Sequence, residues 1–178
     1  MYIQLMRSKL LIRSGKYEDA HCLAALATQV WLHTYATDGI TAEIAAYVIS
    51  ELTPGNYSSV LGDPSCHVFV AQNGNSLVGF SVIKFNTRGP VDSDSSVELQ
   101  TLYVQENFIG HGVGTLLLRA AEAKARQRSN GALWLTVNAK NARAIAFYAR
   151  HGYTMIGTTY FALGEGRHEN HVLIGPNA

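Results

Sequence analysis

The chain has 178 residues, of which 47% are hydrophobic and 15% charged, and its formal net charge is +1. This length and composition exclude a disordered chain and fit one domain, so we expect a single domain over residues 1–178. Acidic and basic residues nearly balance and no basic run occurs, which argues against nucleic acid or a membrane surface and favours a small-molecule partner.

The cysteine content and the hydropathy of the sequence indicate the cellular compartment in which we expect the protein. Cys22 and Cys66 form neither a disulfide framework nor a CxxC pair. The sequence has no signal-peptide core and no run of 18 apolar residues, so we expect a cytoplasmic protein. His168 and His171, three residues apart on a turn and strand, would point to opposite faces, so no metal site is expected. Whether the chain forms a homodimer is left open.

The first half of the chain predicts a strand, two helices and a hairpin. A short strand at residues 9–13 is followed by a helix whose apolar residues recur at i, i+3 and i+4 from residue 20 to 31. Thr41 is expected to cap a second helix, which the Pro-Gly pair at 54–55 would end. The segment "HVFVAQNGNSLVGFSVIKF" predicts two strands joined at Asn73 and Gly74.

The second half alternates strands with helices. After a polar loop at 86–96, the predicted elements are strands at 97–104, 132–138, 153–163 and about 169–174, with helices after the second glycine of "GHGVG" and within "NARAIAFYARHG". Strands interleaved with helices predict a mixed α/β sheet of six or seven strands, flanked by about four helices.

Three alternate glycines, Gly110, Gly112 and Gly114, precede the apolar run "TLLL" at the start of a predicted helix. Exposed main-chain N–H groups at a helix N-terminus are suited to an anion. A Walker loop would need a lysine after Gly114, where Thr115 stands. A dinucleotide fold would need a third glycine there and an acidic residue at the end of the next strand, where Asn138 stands.

The remaining pattern is GxG after a strand ending in "LYV" and before "LWLTVNAKNARAIAFYARHGY". Here the sequence resembles the GNAT superfamily of N-acetyltransferases, whose pyrophosphate loop reads Q/R-x-x-G-x-G/A. Gly112 and Gly114 match the two small positions, whereas Ile109 replaces the usual Gln or Arg. The segments "ELQTLYV", "FYARHGY" and "YFALG" resemble more narrowly the PaiA-type branch, whose members acetylate polyamines.

The resemblance implies acetyl-CoA as cosubstrate, held largely by main-chain groups. Its diphosphate would lie on the glycine segment at the positive end of the helix, and its pantetheine arm would pair with the preceding strand. Asn141, expected to cap the last helix, would also contact the cofactor. The residues implied in cofactor binding are Leu102, Tyr103, Val104, Ile109, Gly110, His111, Gly112, Val113, Gly114, Thr115, Asn138, Asn141 and Tyr148.

Transfer of an acetyl group to an amine also requires proton handling. Tyr148 stands where the family places the general acid for the departing thiolate, and a phenol remains protonated at neutral pH. Glu98, on the strand that enters the cofactor site, is the candidate base, acting through water or with a pKa raised by burial. A core aromatic at Tyr148 and a polar strand residue at Glu98 are the structural alternatives.

The acceptor is expected to meet the first two helices. Trp31 and Tyr35 offer aromatic faces to a cationic amine, although Trp31 also lies on the predicted core stripe. The resemblance favours a polyamine-like primary amine, with a peptide amine as another candidate. The alternative function is a non-catalytic coenzyme A-binding or regulatory module of the same fold.

Overall fold

The computed structural model describes residues 10–129, 132–164 and 166–176. Over these residues the chain forms a seven-stranded sheet and five helices, one helix more than the sequence predicted. The strands are Leu11–Ser14 (β1), Cys66–Asn73 (β2), Ser76–Phe85 (β3), Val97–Val104 (β4), Leu133–Asn138 (β5), Thr154–Leu163 (β6) and Gly166–Ile174 (β7). The helices are Ala20–Tyr35 (α1), Ala42–Glu51 (α2), Pro54–Gly62 (α3), Val113–Arg128 (α4) and Ala142–Arg150 (α5).

The sheet is mixed, which confirms the predicted α/β class. Its strand order is β1-β2-β3-β4-β5-β7-β6, and every neighbouring pair is antiparallel except β4 and β5. The β4–β5 pair is parallel because α4 carries the chain back along the sheet between them. The predicted hairpin is present as β2 and β3, with Gly74 at φ 59° in its turn.

The extra helix corrects one prediction, that the Pro-Gly pair at 54–55 only ends α2. Pro54 instead begins α3, because its fixed φ and missing N–H suit the first turn of a helix. Thr53 caps α3 by accepting a hydrogen bond from the Asn56 N–H at 3.2 Å. The last strand also starts earlier than expected, at Gly166. Lys9, which the sequence placed in the first strand, lies outside the described residues.

Two layers of helices cover the sheet. Successive residues of a strand point to opposite faces, so Val82 packs under α1 and α3 while Ile83 packs under α4 and α5. The first layer buries Leu23 and Phe80, and the second buries Leu118. In the part of the chain that the structure describes, no helix has the length and apolar character needed to cross a membrane.

Candidate active site

Strands β4 and β5 separate shortly after they begin. Over the described residues, they share only two register pairs, Val97 with Leu133 and Glu98 with Trp134, although β4 runs on to Val104. From Leu99 onward, the edge of β4 that faces β5 has no strand partner. Unpaired N–H and C=O groups on a strand edge can bind an extended, amide-rich ligand. We refer to this opening as the β4–β5 split.

A β-bulge in β4 sets the direction of the side chains beside the split. Ile83 pairs with Leu99, whereas Val82 pairs with Thr101, which leaves Gln100 as the extra residue. The bulge reverses the alternation beyond it. Tyr103 therefore points under α1 and α3, where its ring meets Phe80 edge-on with centroids 5.6 Å apart.

The glycine segment follows the split and begins α4. Gly110 and Gly112 both have φ 82°, and a Cβ on either would meet nothing within 4 Å. Glycine is required here by the left-handed backbone and not by crowding. Gly112 is the N-cap, and the first helical hydrogen bond runs from the Leu116 N–H to its carbonyl at 3.1 Å.

Three N–H groups at the start of α4, those of residues 113–115, precede the first helical hydrogen bond. Together with the positive end of a 16-residue helix, they form a neutral anion-binding arrangement. Beside them, His111 turns its Nδ1 toward the Ile109 carbonyl oxygen at 3.1 Å. Ile109 itself donates its N–H to Glu106 O at 3.1 Å, within the short turn that joins β4 to the glycines.

Helix α5 packs against the beginning of α4. A Cβ on Gly114 would lie 3.4 Å from the Phe147 ring, so the two helices approach closely at this glycine. Thr115 Oγ1 lies 3.1 Å from His151 Nε2, which ties the first turn of α4 to the end of α5. No local sequence pattern points to His151, because the two residues that bond are 36 positions apart.

The two predicted asparagines shape the start of α5. Asn141 caps the helix, as predicted, by accepting a hydrogen bond from the Ala144 N–H at 3.0 Å. Asn138, the last residue of β5, accepts one from the Lys140 N–H at 2.9 Å. Since both side-chain oxygens are used locally, the amide NH₂ groups are what these residues can offer to a ligand.

Tyr148 is 7% exposed and belongs to the core beneath α4 and α5. Its ring lies 5.2 Å from that of Phe147 and 5.4 Å from that of Tyr153, centroid to centroid. Burial raises the pKa of the Tyr148 phenol above its ordinary value. The hydroxyl therefore keeps its proton at neutral pH, as a general acid requires.

Glu98 lies at the point where the β4–β5 split begins. It is half-buried, and burial raises the pKa of its carboxyl while the charge of Lys84, its register partner on β3, acts in the opposite direction. Its neighbours Val97 and Leu99 point into the core that holds Tyr148. Strand alternation therefore sends the Glu98 side chain to the opposite face of the sheet, an arrangement that the sequence did not reveal.

An aromatic cluster joins α1, α2 and β6, and we define it as Trp31, Tyr35, Tyr47 and Phe161. Trp31 stacks on Tyr47 with ring centroids 4.7 Å apart and lies 4.8 Å from Tyr35. Phe161 meets Tyr47 edge-on at 5.8 Å. Trp31 is 4% exposed, whereas Tyr35 is 40% exposed, so the cluster has a buried base and an accessible rim.

Tyr103 is a further, partly buried phenol on the face of the sheet that α1 and α3 cover. Burial is the main cause that raises the pKa of the Tyr103 phenol, and the phenols of Tyr35, Tyr57, Tyr47 and Tyr148 raise it further. Sequence reasoning named Tyr35 and Tyr103 but missed Tyr47 and Phe161, which lie on a different helix and on β6.

An ionic bridge lies at the end of β4. Glu106 accepts a hydrogen bond from Arg143 at 3.0 Å and lies 3.2 Å from His33 Nε2, so it connects α5 and α1. The bond from Arg143 is the main cause that lowers the pKa of the Glu106 carboxyl. The three side chains line a cleft with Gln29, Val30, Thr34 and Val104. No sequence pattern pointed to this bridge.

The sequence profile of the acetyltransferase (GNAT) family matches residues 23–153, a range that contains the β4–β5 split, the bulge and the glycine turn. The chain belongs to the GNAT family of acetyltransferases. This GNAT chain is 30% identical over 156 residues to an uncharacterized N-acetyltransferase of Mycobacterium tuberculosis, covering 88% of the chain and 96% of the relative.

One further relative of this GNAT acetyltransferase and one solved structure of similar fold carry more specific names. A streptothricin acetyltransferase of Streptomyces lavendulae is 31% identical over 96 residues, which are 53% of this chain and 48% of that protein. The PaiA N-acetyltransferase of Thermoplasma acidophilum, solved in complex with coenzyme A, superposes with a TM-score of 0.77 at 19% identity and covers 94% of this chain and 98% of that one. At this identity the likeness concerns the fold.

Proposed function

We propose that the protein transfers the acetyl group of acetyl-CoA to a primary amine of a small molecule or peptide, by direct attack of the amine on the thioester. The observation that carries this proposal is the unpaired edge of β4, which leads directly to the glycine turn and the free N–H groups of α4. An extended amide arm that ends in a diphosphate matches the chemistry of these groups in the order in which they occur.

In this proposal, main-chain atoms hold the cosubstrate. The edge at Leu102, Tyr103 and Val104 binds the pantetheine arm, and the N–H groups of residues 110–115 bind the diphosphate. Ile109 adds no polar side chain, so the neutral helix terminus supplies the attraction for the anion. The amides of Asn138 and Asn141 extend the polar wall at the start of α5.

Two side chains on opposite faces of the sheet carry out the two proton transfers. An alkylammonium with a pKa near 10.4 must lose a proton before it attacks, a handicap of roughly 4.6 kcal/mol at pH 7. Glu98, whose raised pKa makes it a better base than an exposed carboxylate, accepts this proton through water. Tyr148 donates its hydroxyl proton to the sulfur as the carbon–sulfur bond breaks.

A polyamine-like amine is the acceptor that we favour. The aromatic cluster offers ring faces to an alkylammonium, and Glu51, which acts electrostatically on Tyr47, adds a carboxylate nearby. Trp31 and Tyr35 are the predicted acceptor contacts, to which we add Tyr47 and Phe161.

Release of free thiol from acetyl-CoA tests the function. The full chain is incubated with acetyl-CoA and one amine at a time, drawn from spermidine, streptothricin, free amino acids and a peptide with a free N-terminus. We expect thiol release that depends on the amine and is fastest with spermidine. Tight binding of acetyl-CoA without amine-dependent release would contradict catalysis and favour a binding module.

Substitution of Glu98 tests the proposed base. In the wild type, activity should rise with pH as the Glu98 carboxyl loses its proton, at a pH above the ordinary range of glutamate because burial raises its pKa. Glu98→Gln should lower kcat/KM by about tenfold and remove this rise. We expect less than the usual 10²–10⁴ because water can also accept the proton.

Lys84→Met is the matched control for this profile. Lys84 lowers the pKa of Glu98, so its removal should shift the rise to higher pH without abolishing it. Identical pH profiles for the wild type and Glu98→Gln would exclude Glu98 as the base.

A further inference from the structure

Two hydrogen bonds of His151 determine where its ring proton lies. His151 Nδ1 is 2.8 Å from the Phe147 carbonyl oxygen, and Nε2 is 3.1 Å from Thr115 Oγ1. A carbonyl oxygen can only accept, so Nδ1 carries a hydrogen and donates it. In the neutral ring Nε2 is then an acceptor, and the Thr115 hydroxyl must donate to it. The hydroxyl proton of Thr115 therefore points toward α5.

This arrangement conflicts with an anion on the first turn of α4. Thr115 provides one of the three N–H groups that precede the first helical hydrogen bond, so its hydroxyl belongs to a residue of the proposed diphosphate site. A phosphate oxygen accepts hydrogen bonds, whereas the single hydroxyl hydrogen is already directed at His151. The neutral ring and the anion thus compete for the same hydrogen.

Protonation of His151 removes the competition. In the imidazolium form both ring nitrogens donate, so Nε2–H donates to Thr115 Oγ1 while Nδ1–H keeps its bond to Phe147. The Thr115 hydroxyl hydrogen is then free to turn to a phosphate oxygen. One proton is taken from solvent, and no bond other than N–H forms or breaks.

We propose that His151 is a positioning residue for the cosubstrate: binding of its diphosphate is coupled to uptake of one proton by His151, which turns the Thr115 hydroxyl toward the anion. This inference rests on the proposed function. The negative charge of the diphosphate favours the imidazolium, and the hydroxyl adds a hydrogen bond to a charged acceptor. Affinity for the cosubstrate should therefore fall as pH rises through the range in which the ring loses this proton.

The charged side chains that the structure describes near His151 in the sequence and on α4 include no counterion for its imidazolium, so in this proposal the diphosphate is the counterion. On α5, Arg150 precedes it and the Phe147 ring lies 4.4 Å away, centroid to centroid. On α4, Arg119 follows Thr115 by one turn. Glu122, one turn further, accepts a hydrogen bond from the Tyr153 hydroxyl at 3.2 Å. In the part of the chain that the structure describes, no carboxylate forms an ion pair with His151.

Calorimetric titration of the full chain with dephospho-coenzyme A tests the coupling. This probe keeps the diphosphate but lacks the terminal phosphate monoester, which itself titrates near pH 6. Binding enthalpies at pH 7 in two buffers of different ionisation enthalpy give the number of protons taken up. We expect net uptake for the wild type and for Thr115→Ser, less uptake for Thr115→Val, and none for His151→Gln.

The affinities should follow the same pattern. The affinity of the wild type should fall from pH 6 to pH 8, whereas that of His151→Gln should change little and that of Thr115→Val should fall less than in the wild type. Binding without proton uptake, or uptake in both variants equal to that of the wild type, would overturn the inference and leave the proposed function intact. A wild type that binds neither dephospho-coenzyme A nor acetyl-CoA would overturn the proposed function and the inference together. If the melting curve shows that His151→Gln does not fold, the comparison of proton uptake between Thr115→Val and the wild type tests the inference.

Discussion

Tyr148→Phe is expected to lower kcat by about 10² to 10⁴, with the Kd for coenzyme A little changed. The substitution removes one oxygen and keeps the ring, so the packing against Phe147 and Tyr153 remains. Without the hydroxyl, the departing thiolate must take its proton from water. Steady-state rates of thiol release at saturating acetyl-CoA measure kcat, and calorimetry measures the Kd.

Tyr153→Phe is the matched control for this variant. Tyr153 is also a buried tyrosine of the same core, and its ring lies 5.4 Å from that of Tyr148. Its hydroxyl donates to Glu122 and has no role in the proposed chemistry. We expect Tyr153→Phe to change stability and not kcat. An equal loss of kcat in both variants, or no loss in Tyr148→Phe, would remove Tyr148 from the mechanism.

Gly112→Ala should weaken coenzyme A binding by about tenfold to a hundredfold. An alanine must adopt φ 82° to keep the N-cap turn, which costs roughly 1–2 kcal/mol for an L residue. If the turn relaxes to avoid this cost, the N–H groups of residues 113–115 lose their common direction. Calorimetric titration with coenzyme A measures the loss.

Gly74→Ala is the matched control that separates the effect of backbone strain on stability from the effect of the glycine turn on coenzyme A binding. Gly74 also has a positive φ of 59°, and a Cβ there would likewise meet nothing within 4 Å. It lies in the β2–β3 hairpin, so its replacement should lower the melting temperature to a similar extent and leave the Kd unchanged. Gly112→Asn should bind better than Gly112→Ala, because asparagine tolerates the left-handed region. Equal Kd values for Gly112→Ala and Gly74→Ala would contradict a role of the glycine turn in binding.

Two corrections in the fold show where local sequence signals are ambiguous. The Pro-Gly pair at 54–55 ends one helix and begins another, since proline is equally suited to the first turn of a new helix. The start of β7 at Gly166 lies three residues before the predicted one, because pairing with β6, and not local composition, extends that strand. In the first place the local residues fit the end of one helix as well as the start of the next, and in the second the pairing with β6 decides where the strand begins.

The sequence by itself determined the order of the strands and of four of the five described helices, the mixed sheet and the glycine turn at the start of α4. These features depend on neighbours within one or two turns of chain, such as the turn at Gly74 between β2 and β3 and the cap at Asn141. Only the tertiary structure decided which strands pair, which side chains share a face of the sheet, and which helices contact each other. It separated β4 from β5, put Glu98 and Tyr148 on opposite faces, and joined His151 to Thr115. Such contacts depend on strand register and helix packing between distant segments, which no local pattern of residues encodes.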